Sequence, residues 1–243
     1  KAETASRVRG RIEAVLDAAK ATGLRSGDNP AQWRGHLAKL LPRRQKLARG
    51  HHKAAPYAEV PAIMARLAAV EGMGALALRL AVLTAARSGE VREATWSEID
   101  LEAKVWTVPA KRMKARREHR VPLSPPAMAI LGAVAPLRPA DDGGSALVFP
   151  GTKKGSPLSV MAMTMVLRRL KVDATVHGFR SAFRDWAAEE TDHPREVAEA
   201  ALAHVVGDAV ERAYRRGDAL EKRRLLMGDW AAFCEPGGAV KSA

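Results

Sequence analysis

The stretch Lys104–Leu123, KVWTVPAKRMKARREHRVPL, decides the fold class, because it reads as β in a chain that otherwise reads as helix. Val105, Trp106, Val108, Val121 and Leu123 are the candidate pleat residues of two short strands. Between them KRMKARR carries five Lys or Arg residues and reads as a basic hairpin connection. Upstream, the alanine- and leucine-rich run from Met73 to Ala86 predicts a buried helix, and SGEVREATW starts a short one after a Ser88–Gly89 turn. Downstream, DDGGSALVFPG is turn chemistry around a short apolar strand, which makes Asp141 and Asp142 turn formers. Helices resume near Ser159 and run to about Phe233. The expected class is mainly α with a small antiparallel sheet, α+β.

The front of the chain reads as a separate piece. Val8, Ile12, Val15, Leu16 and Ala19 fall at helical spacing, and Gly23 stops that helix. A second helix is expected from Asn29 as N-cap and Pro30 at its first position, with Trp33, Leu37, Leu40 and Leu41 on one face. Two such helices bury little alone, so residues 1–50 are expected to be the end of a helical domain within a longer protein. Residues 51–56 then read as a basic linker, 57–235 as the main domain and 236–243 as a disordered tail. His51 and His52 lack a third ligand at a sensible spacing and are read as linker.

Charge points to the partner. The chain carries 40 Lys+Arg against 27 Asp+Glu, net +13, and residues 1–53 hold 13 of the former and 4 of the latter. A basic front on a nearly balanced body suits a polyanion, since each phosphate neutralised releases counterions. One cysteine, Cys234, excludes a disulfide framework and a Cys-rich zinc site. No apolar run reaches the roughly 20 residues of a membrane span, and a soluble intracellular protein is expected.

Four places set unusual polar residues beside apolar scaffolding. In TAARSGE, Arg87 follows small and apolar residues and needs an anion or carboxylate, which Glu90 can supply. The basic hairpin is either a solvated tip or the carrier of a lysine that enters a nucleic-acid groove. In VHGFRSAFRDWA, Phe179, Phe183 and Trp186 make a buried stripe while His177 and Arg180, at i and i+3, can converge on one object; Arg184 reads as helix surface or a DNA-backbone contact. In DHPREVAEAALAHVVGDAVERAYRR, Val197, Ala201 and His204 share a face of a helix that Gly207 ends. Asp208 and Glu211 open another helix, and its Tyr214 needs a partner for its hydroxyl. Taken singly, each has an ordinary structural reading.

Together and in order, TAARSGE, MKARREHRVPL, HGFR, LAH and AYRR resemble the signature of the tyrosine recombinases, and within them the phage and genomic-island integrases. The likeness covers residues 57 to about 233 as a catalytic domain, with residues 1–50 similar to the last helices of the family's core-binding, DNA-gripping domain. It implies a reaction without metal or cofactor, in which Tyr214 attacks a DNA phosphate to form a 3′-phosphotyrosyl ester. It implies that Arg87 and Arg180 clamp the phosphate, His204 donates a further hydrogen bond and His177 takes the tyrosine proton. Lys114, at the family's spacing before VPL, is implied as the general acid, with Lys111 as second candidate, and Glu90 as the residue that orients Arg87. Arg7, Arg9, Arg11, Arg43, Arg44, Lys111, Arg116 and Arg117 are candidate DNA contacts.

The implied partners are double-stranded attachment-site DNA, three further copies of the chain in a tetramer that passes through a Holliday junction, and accessory DNA-bending or directionality proteins. The implied setting is the bacterial cytoplasm and nucleoid. The segment LEKRRLLMGDWAAFC is amphipathic, with Leu225, Leu226, Trp230 and Phe233 to bury, and packs either on its own domain or on a neighbouring subunit. Xer-like resolution, type IB topoisomerase-like relaxation and non-catalytic DNA binding are the competing readings. A metal-dependent integrase is disfavoured because no set of strand carboxylates is visible.

Overall fold

The computed structural model describes residues 2–41, 53–140, 143–153, 155–204 and 217–235. The chain forms two compact units, residues 1–50 and 51–243. In the first, helix α1 (Ala2–Ala21) carries the predicted stripe, yet Val8, Ile12 and Val15 remain exposed. The expected second helix does not form over its whole length. Residues Trp33–Leu37 make one wide turn in which Arg34 is extended and Gly35 has φ +77°, and only Ala38–Leu40 continue as a helical turn. Asn29 caps a turn instead: its Oδ1 accepts the Ala31 N–H, while its amide donates to the Glu13 carbonyl and to Asp17 Oδ1.

In the second unit the helices are α2 (Val60–Ala68), α3 (Met73–Thr84), α4 (Ser88–Arg92), α5 (Pro125–Val134), α6 (Ala162–Arg169), α7 (Gly178–Glu189), α8 (Arg195–Ala201) and α9 (Leu220–Cys234). Helix α3 is apolar on nearly every face because it is surrounded, packing against α2, α4, α5, α6 and α9. The strands are β1 (Ile99–Asp100), β2 (Val105–Val108) and β3 (His119–Pro122), antiparallel in the order β1-β2-β3. The hairpin register pairs Val105 with Pro122 and Val108 with His119. Strand β1 is an addition to the two strands read from sequence, and the apolar stretch around Leu147 contributes isolated bridges, Leu147 to Thr95 and Pro150 to Pro157, in place of a strand.

Helix α9 packs on its own domain. Leu226, Met227, Trp230, Ala231 and Cys234 are buried, whereas Leu225 faces solvent, contrary to the sequence expectation. Trp230 meets Phe183 edge-on at 5.4 Å and lies 5.0 Å from Trp186, so the aromatic stripe of α7 is the surface that receives α9. The Trp230 indole donates to the Val82 carbonyl of α3 at 2.8 Å, which satisfies its one polar atom inside the core. No helix among the described residues is long and apolar enough to cross a membrane.

Candidate functional site: a basic cleft at three helix ends

Arg87 sits where α3 stops. Ala85 takes a left-handed conformation, φ 49°, and Arg87 becomes the N-cap of α4. Glu90 closes a capping box around it: one carboxylate oxygen accepts the Arg87 backbone N–H at 2.9 Å and the other accepts the guanidinium at 2.7 Å. Glu90 is buried, so the bond fixes the base of the arginine while part of its side chain stays open to solvent.

Arg180 lies in the first turn of α7 and is 5% exposed. Its guanidinium donates to the carbonyl of Ala85 and, at 2.7 Å, to the carbonyl of Leu202. These are carbonyls at the C-terminal ends of α3 and α8, which have no partner further along their own helices. Neutral acceptors thus hold the arginine in place and leave its charge for an anion. Burial pushes its pKa down to about 10, with the Arg87 charge adding to the effect and Glu90 opposing it, so it remains a cation at neutral pH.

Helix α8 ends at Ala201, six residues before the stop expected at Gly207, through a Schellman turn. Ala203 has φ 50°, its N–H returns to the Ala200 carbonyl and the His204 N–H to the Glu199 carbonyl. His204 therefore stands beyond the helix, with Nε2 3.3 Å from the Arg180 guanidinium. His177 immediately precedes α7, and Lys114 projects from the β2–β3 connection.

These side chains share one open cleft of about 880 Å³, lined by Arg87, Lys114, His177, Arg180 and His204 together with Arg184 and Arg195. A neighbouring cavity of about 470 Å³ also takes Arg87, Lys114 and His177 as walls. A concave surface so dense in cations focuses a positive potential and suits a phosphate. Among the described residues no cluster of His, Cys, Asp or Glu is arranged to hold a metal ion. Tyr214 lies outside the described residues, as do Arg43 and Arg44. Past it, Asp218 is fastened to β3 by two guanidinium nitrogens of Arg120, Nε at 2.9 Å and Nη2 at 2.7 Å, and to Arg223 at 2.7 Å.

The remaining cations divide by what they touch. Lys111, Arg116 and Arg117 are exposed on the hairpin, and Arg11 is exposed on α1. Arg7 pairs with Glu3 on the helix surface. Arg9 is used within its own unit: it bonds Glu13 and the Ala31 carbonyl and lies over the Trp33 ring. Arg112, inside the basic hairpin, pairs with Glu98 at 2.6 Å and braces the turn. Sequence reading missed Glu199, which binds both His204 and Arg184, and it left Arg184 outside the site. The signal for Glu199 is its place five residues before His204, legible only once the helix end is set at Ala201 with the left-handed turn at Ala203.

Residues 56–220 match the model of the phage integrase family, and residues 1–36 match that of the phage integrase central domain. The prophage integrase IntA of Escherichia coli strain K12 is 42% identical over 153 residues, 62% of this chain and 36% of that protein. The integrase of Enterobacteria phage P4 is 30% identical over 255 residues, 97% of this chain and 56% of that protein. The chain thus spans only part of these relatives' length. Among solved structures, a lambda integrase dimer bound to a COC′ core site shares the fold, with a TM-score of 0.57 at 19% identity over 90% of this chain and 74% of that one. The integrase of mycobacterium phage Brujita aligns with a TM-score of 0.54 at 18% identity over 94% of this chain and 72% of that one. With about two thirds of its residues matched by the family model, this chain belongs to the phage integrase family.

Proposed function

We propose that the protein is a site-specific tyrosine recombinase that cuts and rejoins double-stranded DNA. The observation that carries this reading is the convergence of Arg87, Lys114, His177, Arg180 and His204, from four separate stretches of sequence, on one basic cleft. In this reading the two guanidiniums clamp the nonbridging oxygens of the scissile phosphate, where negative charge grows in the transition state. His204 donates a third hydrogen bond. The Tyr214 oxygen attacks phosphorus as its proton passes to His177, and the bond from phosphorus to the 5′ oxygen breaks. Lys114 protonates that leaving oxygen. The phosphotyrosyl ester conserves the bond for attack by the 5′-hydroxyl of a second duplex.

Residues 57–235 serve as the catalytic domain in this reading, and residues 1–50 as the end of a DNA-gripping domain joined through the linker 51–56. The working assembly is a homotetramer on two attachment sites in the bacterial nucleoid, with accessory bending or directionality proteins. The family match and the lambda integrase structure solved on core-site DNA support this reading. Its test is a nicked suicide DNA substrate incubated with wild type and with Tyr214→Phe. Wild type should form a covalent protein–DNA adduct and the variant none; an adduct that persists in Tyr214→Phe overturns the nucleophile.

A further inference from the structure

Glu199 is 7% exposed, and both of its carboxylate oxygens are engaged at the wall of the cleft. One accepts from His204 Nδ1 at 2.6 Å and the other from Arg184 Nε at 2.6 Å, with Arg195 4.0 Å from the same oxygen as Arg184. The Schellman turn makes the histidine contact nearly unavoidable. It bonds the His204 N–H to the Glu199 carbonyl at 2.9 Å, so the side chains at the two ends of that bond lie together. Burial disfavours the Glu199 charge, but hydrogen bonds from His204 and Arg184 outweigh it and hold the carboxyl below its ordinary range. Glu199 is therefore a carboxylate at neutral pH.

We propose that Glu199 is the positioning residue of His204: it takes the Nδ1 proton into a hydrogen bond, fixes the ring and its tautomer, and leaves Nε2 facing the phosphate site beside Arg180. This rests on the recombinase reading. The imidazole has two nitrogens, and only the one not bound to Glu199 can reach the cleft; which one that is depends on the partner of the other. With 42% of its side chain exposed, His204 has little packing to hold the ring, so the hydrogen bond is the restraint. When Nε2 donates to a phosphate oxygen, the ring carries both protons, and the carboxylate behind it supplies the opposite charge. Arg184, held by the other oxygen, keeps Glu199 from turning away. Glu199 itself does not touch the DNA.

Two measurements test this. In the protein without DNA, nitrogen-15 spectra of the His204 ring should show a proton fixed on Nδ1 in wild type, and that signature should be lost in Glu199→Leu. In single-turnover cleavage of the nicked substrate, Glu199→Leu should be slower by about 10- to 100-fold, the value of one charge-assisted hydrogen bond. Glu199→Gln keeps an acceptor and should recover most of the rate. In a His204→Asn background, Glu199→Leu should cost nothing further.

An equal loss in both backgrounds, or a ring unchanged by Glu199→Leu, overturns the proposal. Should Glu199→Leu not fold, as its melting curve would show, Glu199→Gln takes its place in the same cycle, and its smaller loss must vanish with His204. A wild type that forms no adduct sinks the recombinase reading alone, because the ring spectrum still decides whether Glu199 holds His204.

Discussion

His119 and Arg180 meet the same problem, a nitrogen base taken out of water, with opposite outcomes. Arg180 stays charged because no ordinary burial overcomes the basicity of guanidinium, and two helix-end carbonyls accept from two of its five N–H donors. His119, at the start of β3, is held neutral. Burial first, and then the charge of Arg223, push its pKa down from 6.5 to about 4, although Glu90 and a hydrogen bond to the backbone of Ala201 pull the other way. The sign follows directly. As pH falls below 6.5 the unfolded chain binds a proton at this residue and the folded chain does not, so the folded state loses stability until the pH reaches about 4. The loss is on the order of 2–3 kcal/mol across that window and absent above it. Melting temperatures of wild type and His119→Asn, measured from neutral pH down through the window, should converge as the pH falls. Parallel curves would show that His119 titrates normally in the fold.

Among the elements, α7 shows most clearly why a residue type is required. Gly178 begins the helix that carries Arg180, and a Cβ placed there would lie 2.2 Å from the Lys53 carbonyl oxygen and 2.8 Å from the Ala54 Cα. Lys53 and Ala54 of the linker are laid across the helix start, where the Lys53 carbonyl accepts the Thr175 N–H at 2.9 Å. Both colliding groups are backbone, so Gly178→Ala must lift the strap. It should destabilise the unit by roughly 1–3 kcal/mol, the usual cost of overpacking. Gly228→Ala, in α9 with open space around its Cα, should be neutral or stabilising by up to about 1 kcal/mol. Calorimetry of the two variants checks both. The sequence HGFR makes His177 and Arg180 legible by their spacing, but the need for glycine between them comes from a segment more than a hundred residues away. Period and turn chemistry made α1, α3, the hairpin and the aromatic stripe readable. The broken second helix and the early end of α8 were not, because Gly35 and Ala203 adopt left-handed conformations that tertiary context selects. Leu225 was read as core because an amphipathic stripe does not fix which neighbour a helix will meet, and α9 turned toward α7 and α3 instead.

At the scale of the whole molecule, charge is distributed unequally between the part that holds the cleft and the part that precedes it. Most of the net +13 lies in residues 1–53, yet a share of that charge is already spent inside the first unit. Arg9 joins α1 to the turn at Ala31–Trp33 through an ion pair, a carbonyl bond and a ring contact, and Arg7 pairs with Glu3. Such a cation contributes to local structure before it contributes to DNA affinity, whereas an exposed one exchanges water and counterions for phosphate. The two roles separate under salt. If Arg11, Arg43 and Arg44 each neutralise one phosphate, replacing all three with alanine should reduce the slope of log K for duplex DNA against log salt by roughly 3 in magnitude, at about 0.9 per contact, with the melting temperature unchanged. Arg9→Ala should do the reverse, lowering the melting temperature of the front unit while changing the slope by less than one contact. Binding titrations over a range of salt concentrations, paired with melting curves, measure both. A triple variant whose slope matches wild type would move the polyanion contact off the front unit and onto the hairpin cations Lys111, Arg116 and Arg117.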